Sequence, residues 1–407
     1  MPTTAFLFPG QGSQYVGMGR KLHDEFTVAK RYFEEANDAL GFNLTEMCFE
    51  GSHSQLMQTM NTQPAILAVS VIAFEIGRRE LGWQPDFMAG HSLGEYSALV
   101  CSGVLSFRDG LGIVRKRGML MQAAHSSDIG AMVAVTHAAS DQLEEFCRQA
   151  SNDTSQVVIA CYNSLNQHVL AGHRIAVQSV VHRLQAQFTD VSVKYLNVSA
   201  PFHSPLMQSA AEQLAVELER IETRDARWPV ISNVTARTYG RQELLPLLYR
   251  QMTEPVRWLE TMHYLKSQGI SRTVEVGPRQ VLTHLMKGTY PAVQTCQFDH
   301  PKQLEELRAW FDRSENNREA VIASIRESLT AAIIARNRNN DAIAYSAGVI
   351  LPIQQIRDLI EKLCGNNPSD FTQTLNQIKS LLQSVLFTKQ LPLEEQMKIT
   401  DKLPAMD

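Results

Sequence analysis

Short apolar runs that end in glycine alternate with longer stretches of helical periodicity in the first part of the chain. The apolar runs are TAFLFPG at 4–10 and DFMAG at 86–90. Around them, apolar side chains recur at helical spacing over residues 16–40, 64–80, 93–103 and 107–124. Strand–helix alternation of this kind predicts an α/β fold with a mainly parallel sheet covered by helices.

The alternation of strands and helices changes near residue 129, where the pattern predicts the order β-α-β-β-α-β. The strands are GAMVAVT, QVVIACYN, QHVLAG and VSVKYLNVS, and the helices cover residues 139–150 and 174–188. This order is the ferredoxin-like pattern. The earlier strand–helix alternation returns with a strand PVISN at 229–233, a helix over 255–268 and a strand RTVEVGP at 272–278. The small unit is therefore predicted to be an insertion in a larger one.

From residue 301 the composition shifts to a helical tail. Apolar positions at helical spacing predict three amphipathic helices over residues 318–335, 353–363 and 369–388, separated by the breakers RNRNND and CGNNPSD. The tail shows no concentration of reactive residues, so packing, docking and linker roles all stay open. The predicted domain bounds are 1–127 and 200–300 for the large subdomain, 128–199 for the small one and 301–407 for the helical extension.

Composition narrows the class of protein. Of 407 residues, 44% are hydrophobic and 20% are charged, which is ordinary for a soluble globular protein. The net charge of −4 gives no reason to expect nucleic acid or an anionic membrane as a partner. Six scattered cysteines, with no metal-ligand spacing and no metal expected, favour a reduced, cytoplasmic protein.

Neither of two apolar segments is predicted to target or cross a membrane. The N-terminus MPTTAFLFPG lacks the basic region and long apolar core of a signal peptide. The run PAILAVSVIAFEIG at 64–77 is too short to span a bilayer. It is predicted to be a buried helix with Pro64 in its first turn.

Residues 90–94 read GHSLG and match the G-x-S-x-G pattern. Where a strand turns sharply into a helix, this pattern projects the serine at the turn, and the helix N-terminus offers backbone N–H groups to an oxyanion. Ser92 is therefore a candidate nucleophile. The alternative is that Ser92 only caps the helix that follows.

A serine hydroxyl needs a base within hydrogen-bond reach. His91 adjoins Ser92, but a neighbour in the same tight turn rarely faces back onto it. His203, in NVSAPFHSPLM, lies where the inserted unit returns to the large one, at a place where clefts form. His203 is therefore the candidate base, although most of the twelve histidines are expected at the surface or in packing roles.

The loop FLFPGQGSQ at 6–14 follows a predicted strand and presents backbone N–H groups above the sheet edge. A dinucleotide-binding loop would need glycine at position 15, which is Tyr15. An oxyanion-hole loop around Gln11 remains.

Arg117 lies on the apolar face of its predicted helix, in line with Val114 and Met121, whereas Arg115 points elsewhere. A buried guanidinium needs an anionic partner, and its planar fork suits a carboxylate. That carboxylate is either a protein Asp or Glu or one carried by a substrate, and the sequence leaves both open.

Seven motifs in order make the chain resemble the malonyl-CoA:acyl carrier protein transacylases of fatty acid synthesis and the acyltransferases of polyketide synthases. They are FPGQGSQ, NTQPAI, GHSLGEYSAL, RGMLMQ, CYNSLNQHVLAGH, APFHSPLM and EVGPRQVLTHLM, and they cover residues 1–290. The resemblance implies an α/β-hydrolase-like core that carries a ferredoxin-like insertion.

The resemblance also implies a role for each matching residue. Ser92 is the nucleophile, His203 is the general base, and Gln251 is the matching position for the group that orients the histidine. The backbone amides of Gln11 and Leu93 form the oxyanion hole. Arg117 pairs with the malonyl carboxylate, and Phe202 and Gln63 are further substrate-binding side chains.

In such an enzyme malonyl-CoA is a substrate and no cofactor is bound. The malonyl group passes through an acyl-serine to the phosphopantetheine thiol of an acyl carrier protein, so the partners are that protein and the coenzyme A thioester. Phe202 and the aliphatic Leu93 resemble malonyl-selective rather than methylmalonyl-selective members.

Two alternatives stay open. An acyl-carrier-protein thioesterase that edits a polyketide assembly line would use the same serine and histidine, although such relatives generally lack the arginine. A non-catalytic docking protein would act through the helical tail. Because a simple fatty-acid transacylase would end near residue 300, the tail favours a discrete polyketide synthase acyltransferase. Candidate contacts for an acidic carrier protein are Lys194, Arg257 and Lys287.

Overall fold

The computed structural model describes residues 3–124, 130–198, 200–364 and 371–400. Thr4–Leu304 form one compact unit, and the residues from Glu305 onwards belong to a second. Each unit is described by itself.

The described residues form nine strands, which belong to two sheets in the first unit. In chain order they are β1 Thr3–Phe8, β2 Phe87–Gly90, β3 Gly130–Thr136, β4 Val157–Ser164, β5 Gln167–His173, β6 Ser192–Tyr195, β7 Val230–Ile231, β8 Ile270–Val276 and β9 Gln294–Phe298. The larger sheet has the order β7-β2-β1-β8-β9, and its pairs β1–β2, β2–β7 and β8–β9 are parallel. The predicted parallel sheet is confirmed.

The helices of the first unit pack around its two sheets. They are α1 Arg20–Glu25, α2 Thr27–Leu40, α3 Leu44–Phe49, α4 His53–Leu56, α5 Thr59–Leu81, α6 Leu93–Cys101, α7 Phe107–Ala123, α8 Ser140–Ala150, α9 Arg174–Gln187, α10 Gln208–Leu218, α11 Leu244–Arg250, α12 Trp258–Ser267 and α13 Val281–Thr289. The stretch predicted as one helix over 16–40 is two helices, because Phe26 between them is extended, with φ −118° and ψ 122°.

Helix α5 is the core helix of the unit, and 89% of its most apolar stretch is buried. Its length and composition alone would allow a membrane span. The sequence placed Pro64 in the first turn, which is wrong, since the helix begins at Thr59. Pro64 has no N–H for the carbonyl oxygen of Met60, and Arg115 Nη1 donates to that oxygen instead at 2.7 Å.

Strands β3 to β6 form an antiparallel sheet with the order β4-β5-β3-β6. Helices α8 and α9 pack on this sheet through a separate hydrophobic cluster that includes Leu143, Val177 and Leu184. The predicted β-α-β-β-α-β order is confirmed, although β6 is only Ser192–Tyr195.

The second unit is helical. The sequence predicted three helices, whereas its described residues form five, α14 Gln303–Ile334, α15 Ala342–Tyr345, α16 Leu351–Cys364, α17 Phe371–Thr388 and α18 Leu393–Thr400, with a π-helical turn at Ser346–Ile350. The first predicted helix begins earlier than expected, and the two short helices were missed because neither shows a long enough apolar period. The predicted breaker RNRNND does separate helices, while CGNNPSD lies mostly outside the described residues.

The apolar positions that predicted these helices form the core of the second unit, among them Ile325, Leu329, Ile356, Ile378 and Leu382. A buried cation completes that core. Lys389 is 2% exposed, and its Nζ donates to the carbonyl oxygens of Ala332, Ile333 and Ala335 at 2.8 to 2.9 Å. These carbonyls lie at the C-terminal end of α14, where backbone oxygens lack helical partners and a positive charge is favoured.

Replacing Lys389 with methionine keeps the aliphatic stem and leaves the three carbonyl oxygens without a donor. We expect the free energy of unfolding of the second unit to fall by about 1–3 kcal/mol. Denaturant unfolding followed by circular dichroism measures it, and the exposed Lys362→Met is the control. Equal stability of both variants would contradict the capping role.

A second prediction concerns Gly94, where an added Cβ would lie 2.0 Å from the carbonyl oxygen of Phe8. Gly94→Ala should cost about 3 kcal/mol of unfolding free energy, because two backbones must separate. Gly112 is an exposed helical glycine with open space around it, so Gly112→Ala should stabilise the fold by up to about 1 kcal/mol. Thermal unfolding of the pair tests this; a small effect of Gly94→Ala would show that the contact can relax.

Candidate active site

Ser92 occupies the sharp turn between β2 and α6, with φ 52° and ψ −106°. The two flanking glycines are required by space. A Cβ on Gly90 would lie 1.9 Å from the carbonyl carbon of Gly94, and Gly94 itself meets the backbone of Phe8. The Ser92 side chain makes no capping hydrogen bond to α6. The alternative that Ser92 serves as a helix cap is therefore wrong, and its Oγ is free to face other partners.

His203 is that partner. Its Nε2 lies 2.7 Å from Ser92 Oγ, and its Nδ1 lies 2.7 Å from the backbone oxygen of Gln251. A carbonyl oxygen only accepts, so Nδ1 carries the proton and Nε2 is left to accept the serine proton. Burial and the nearby Arg117 cation lower the pKa of His203 to about 3. The imidazole is thus neutral near pH 7, as a general base must be.

Arg117, on α7, is 1% exposed and reaches the same serine. Its Nη2 donates to Ser92 Oγ at 3.1 Å and to Gln251 Oε1 at 3.0 Å, and its Nη1 donates to Gln63 Oε1 at 2.9 Å. Its Nε has no hydrogen-bond partner among the described residues. The guanidinium also lies 5.4 Å from the ring centroid of Tyr96.

The partners of Arg117 bear on the two alternatives left open by the sequence. Among the described residues no carboxylate forms a salt bridge with this guanidinium, although the Glu95 charge acts on it from a distance. Burial lowers the pKa of Arg117. A direct protein salt bridge to Arg117 is therefore not found among the described residues, and a substrate carboxylate as its partner stays a prediction. A buried cation held by neutral acceptors beside a nucleophile is suited to receive an anion.

Two amide side chains hold the backbone of the serine turn. Asn233 Oδ1 accepts from the Ser92 N–H at 2.7 Å, and Asn233 Nδ2 donates to the Gly90 carbonyl at 2.7 Å. Gln251 Nε2 donates to the Ser92 carbonyl at 3.0 Å. The sequence pointed to Gln251 but missed Asn233. The signal for Asn233 was its position just after β7, because the carboxyl ends of parallel strands collect functional residues.

The Gln11 loop follows β1 and lies against the serine turn. A Cβ on Gly10 would be 2.4 Å from the carbonyl oxygen of His91, and Gln11 Nε2 donates to Thr59 Oγ1 at 3.3 Å. Among the described residues no acceptor is bonded to the backbone N–H of Gln11 or of Leu93. Both amides are therefore available to an oxyanion near Ser92.

Ser92 and His203 lie on a cavity of about 230 Å³ between the two sheets of the first unit. Its wall is largely apolar and includes Phe202, Val169, Leu196 and Leu285. Phe202 is 6% exposed and adjoins the base in sequence, as predicted.

Two other polar side chains near Ser92, Gln63 and His91, bond to neighbours of their own. Gln63 is 1% exposed and contacts Arg117 and, through Nε2, Met121 Sδ at 3.2 Å, so it holds the arginine rather than forming the cavity wall. His91 turns away from the serine, as expected, and its Nε2 lies 2.8 Å from Asn163 Oδ1 on β4.

The basic residues expected to meet a carrier protein are not brought together by any described contact. Lys194 lies on β6 and Lys287 on α13, and both are exposed. Arg257 pairs with Glu260 at 3.0 Å. Within the described residues there is no cluster of three or more His, Cys, Asp or Glu side chains that could hold a metal ion.

The geometry of Arg117 and His203 generates a prediction about pH. The wild-type rate of Ser92 labelling by a fluorophosphonate should stay constant through the range where an ordinary histidine, with a pKa near 6.5, takes up its proton. Arg117→Gln removes a cation that lowers the pKa of His203. In this variant the rate of Ser92 labelling should therefore begin to fall at a higher pH than in the wild type. Arg115→Gln, on the same helix, is the control. The same pH dependence of labelling in both variants would contradict the effect of Arg117 on the pKa of His203.

Comparisons with known proteins agree with this geometry. Residues 5–332 match the family described as acyl transferase domain. A Bacillus subtilis protein named malonyl CoA-acyl carrier protein transacylase is 42% identical over 400 residues, which cover 98% of this chain and all of the relative. The similarity therefore extends into the second unit.

Solved structures match the first unit. The malonyl CoA-acyl carrier protein transacylase of Coxiella burnetii superposes with a TM-score of 0.73 and 35% identity, over 76% of this chain and 98% of that one. A type II polyketide synthase acyl-carrier protein in complex with its malonyl-transacylase gives a TM-score of 0.71 and 36% identity, over 74% and 97% of the two chains. The chain therefore belongs to the acyl transferase domain family and, within it, to the malonyl CoA-acyl carrier protein transacylases.

Proposed function

We propose that this chain transfers a malonyl group from malonyl-CoA to the phosphopantetheine thiol of an acyl carrier protein through an acyl-serine. The observation that carries the proposal is the Arg117 guanidinium, which is buried, bonded only to neutral acceptors and 3.1 Å from Ser92 Oγ. The names and coverage of the relatives support the same activity. The pathway is fatty acid or polyketide biosynthesis, and the second unit favours a discrete polyketide synthase acyltransferase.

The first half of the reaction acylates the enzyme. Ser92 Oγ attacks the thioester carbonyl while His203 Nε2 accepts the serine proton, and the backbone amides of Gln11 and Leu93 stabilise the oxyanion. The carbonyl–sulfur bond then breaks, and His203 returns the proton to the departing coenzyme A thiol.

The malonyl carboxylate binds Arg117 throughout. To do so it replaces the Ser92 hydroxyl, and one of the amide oxygens, as the acceptor of the guanidinium hydrogen bonds. The exchange is favourable because an ionised, bidentate acceptor binds a guanidinium more strongly than neutral oxygens do.

In the second half, the thiol of the carrier's phosphopantetheine arm attacks the acyl-serine carbonyl while His203 accepts the thiol proton. The bond between the carbonyl and Ser92 Oγ then breaks, and His203 returns the proton to Ser92 Oγ. Both halves of the reaction exchange one acyl bond for a similar one. Exclusion of water from the acyl-serine therefore matters as much as the rate of transfer. The apolar wall around Phe202 and the burial of His203, beside a half-buried Ser92, support this part of the proposal.

The supporting residues have separate tasks in this scheme. The Gln251 carbonyl fixes the tautomer of His203, and its side chain holds Arg117 and the serine turn. Gln63 positions Arg117, and Phe202 limits the space beside the acyl group. Lys194, Arg257 and Lys287 are proposed contacts for the acidic carrier.

The proposal also includes the fold class of each part of the chain and the cellular location of the enzyme. The larger sheet and its helices are proposed to be an α/β-hydrolase-like core, built from residues 1–127 and 200–300. The antiparallel sheet of residues 128–199 is proposed to be a ferredoxin-like subdomain, which its strand order β4-β5-β3-β6 supports. Residues 301–407 are proposed as a helical extension, and the enzyme is proposed to work in the cytoplasm without a bound cofactor.

The direct test incubates the full chain with malonyl-CoA and identifies the acylated peptide by mass spectrometry. Malonyl should appear on Ser92, should be absent from Ser92→Ala, and should pass to a phosphopantetheinylated acyl carrier protein when one is added. A thioesterase is the competing outcome: malonate released as fast without the carrier as with it would overturn the transferase assignment.

Substrate choice gives a further prediction. In Arg117→Gln the ratio of kcat/KM for malonyl-CoA to that for acetyl-CoA should fall by about a hundredfold, which is about 3 kcal/mol, because the malonate carboxylate loses its cation. Steady-state kinetics with both thioesters measure the ratio. Arg115→Gln should leave it near the wild-type value, and an unchanged ratio in Arg117→Gln would remove the assignment of malonate as the acyl group.

A further inference from the structure

Glu95 is a fully buried carboxylate in the first turn of α6, at 0% exposure. Its Oε2 accepts from Gln251 Nε2 at 2.7 Å and from the Asn233 N–H at 3.1 Å. No described residue donates to its Oε1 with ordinary hydrogen-bond geometry, although the Tyr239 hydroxyl lies close enough to act on the same carboxyl group. A carboxylate is rarely buried without a cation, so the charge of Glu95 needs an explanation.

The nearest link to a cation runs through the Gln251 amide. An ionised carboxylate only accepts hydrogen bonds, so Glu95 fixes the Gln251 NH₂ group towards itself. The Gln251 Oε1 atom is thereby turned towards Arg117, whose Nη2 donates to it at 3.0 Å. One negative and one positive group are thus joined through a single oriented amide.

The surroundings of Glu95 contain few other charges. The titratable or charged side chains that face it are Arg117 from α7, Tyr239 from the loop after β7, and Tyr96 from α6 itself. Burial raises the pKa of Glu95 to about 7, while the bonds from Gln251 and Asn233 and the charge of Arg117 oppose that rise. The carboxyl group is therefore close to the point at which a small change of field alters its protonation.

We propose that Glu95 is the internal counter-charge of Arg117 in the unacylated enzyme and that it takes up a proton when the malonyl carboxylate binds Arg117. The proposal rests on the proposed function, since it needs a substrate with a free carboxylate. A second anion beside the same cation repels the first, and like charges that share a site cannot both stay ionised. Glu95 is a positioning residue in this scheme, because it acts on the substrate through Gln251 and Arg117.

The chemistry of acylation allows the proton to be counted. The Ser92 oxygen–carbonyl bond forms, the carbonyl–sulfur bond breaks, and the serine proton leaves on the coenzyme A thiol by way of His203. With a thiol pKa of about 8.5, coenzyme A leaves mainly protonated at pH 7.5. These transfers take no proton from solvent, so net uptake at that pH reports a protein side chain.

The experiment mixes the full chain with malonyl-CoA at pH 7.5 in weak buffer, without carrier protein. An indicator dye records proton uptake, and mass spectrometry counts malonyl groups on Ser92. We expect between about half a proton and one proton per malonyl group. Acetyl-CoA, which carries no carboxylate, should acylate Ser92 without uptake.

Two variants identify the side chain. Glu95→Gln should acylate without proton uptake, whereas Glu275→Gln should retain it. Glu275 is the matched control, because it is also a fully buried carboxylate whose pKa burial raises to about 7, and it caps α13 through the amides of Leu282 and Thr283. His203 is present in both variants, so uptake by its imidazole would appear in both.

The pH profile is an independent readout. In the wild type, kcat/KM for malonyl-CoA should fall above pH 7 by up to about tenfold per pH unit, because binding then requires a proton from solvent. Glu95→Gln should remove this alkaline limb, which a purely structural role would leave in place.

The outcomes separate this proposal from the proposed function. Malonylated Ser92 without proton uptake overturns the role of Glu95 and leaves the transferase intact. Equal uptake with acetyl-CoA also overturns it, and this arm uses only the unaltered chain, so it holds even if Glu95→Gln does not fold. Absence of malonyl on Ser92 overturns both.

Discussion

The arrangement of this site depends on one interaction, the contact between a buried guanidinium and the oxygen of a serine. Arg117 is 1% exposed and donates to Ser92 Oγ at 3.1 Å, with glutamine oxygens as its other acceptors. An isolated buried cation is costly, and the fold offsets that cost with neutral acceptors and the face of Tyr96. These direct partners are neutral, and the proposed counter-charge Glu95 lies beyond the Gln251 amide, so the cation can still act on a group that binds beside Ser92.

The larger sheet explains how such groups come together from distant parts of the chain. Strands β1, β2 and β7 end at the same edge, because they are parallel, and the Gln11 loop, the Ser92 turn and Asn233 follow those ends. The close approach of Gly94 to the backbone of Phe8 sets the serine turn directly against the first strand. His203 and Gln251 then enter after the inserted sheet.

Much of this could be predicted from sequence. The G-x-S-x-G spacing and the apolar stripe around Arg117 identify the nucleophile and the buried cation from local geometry. The return of the chain from the inserted unit indicated His203 as the base, and the resemblance added Gln251; the contact between them joins residues 48 positions apart. Glu95 and Asn233 were missed, since their contacts are with partners 138 or more positions away, and only the position of Asn233 just after β7 offered a signal. The two short helices of the second unit were missed because 4 and 8 residues are too few to show a clear apolar period.

The charges of the site also bear on the order of events. Arg117 lowers the pKa of His203, and its proposed counter-charge, Glu95, reaches the guanidinium only through the Gln251 amide. We propose that a substrate carboxylate, which contacts Arg117 directly, cancels more of this Coulombic effect than Glu95 does and makes the imidazole a stronger base at the moment it must accept the serine proton. A thioester without a carboxylate brings no such change. On this proposal, selectivity for a diacid arises twice in one residue, once from binding the carboxylate and once from the basicity that this binding restores to His203.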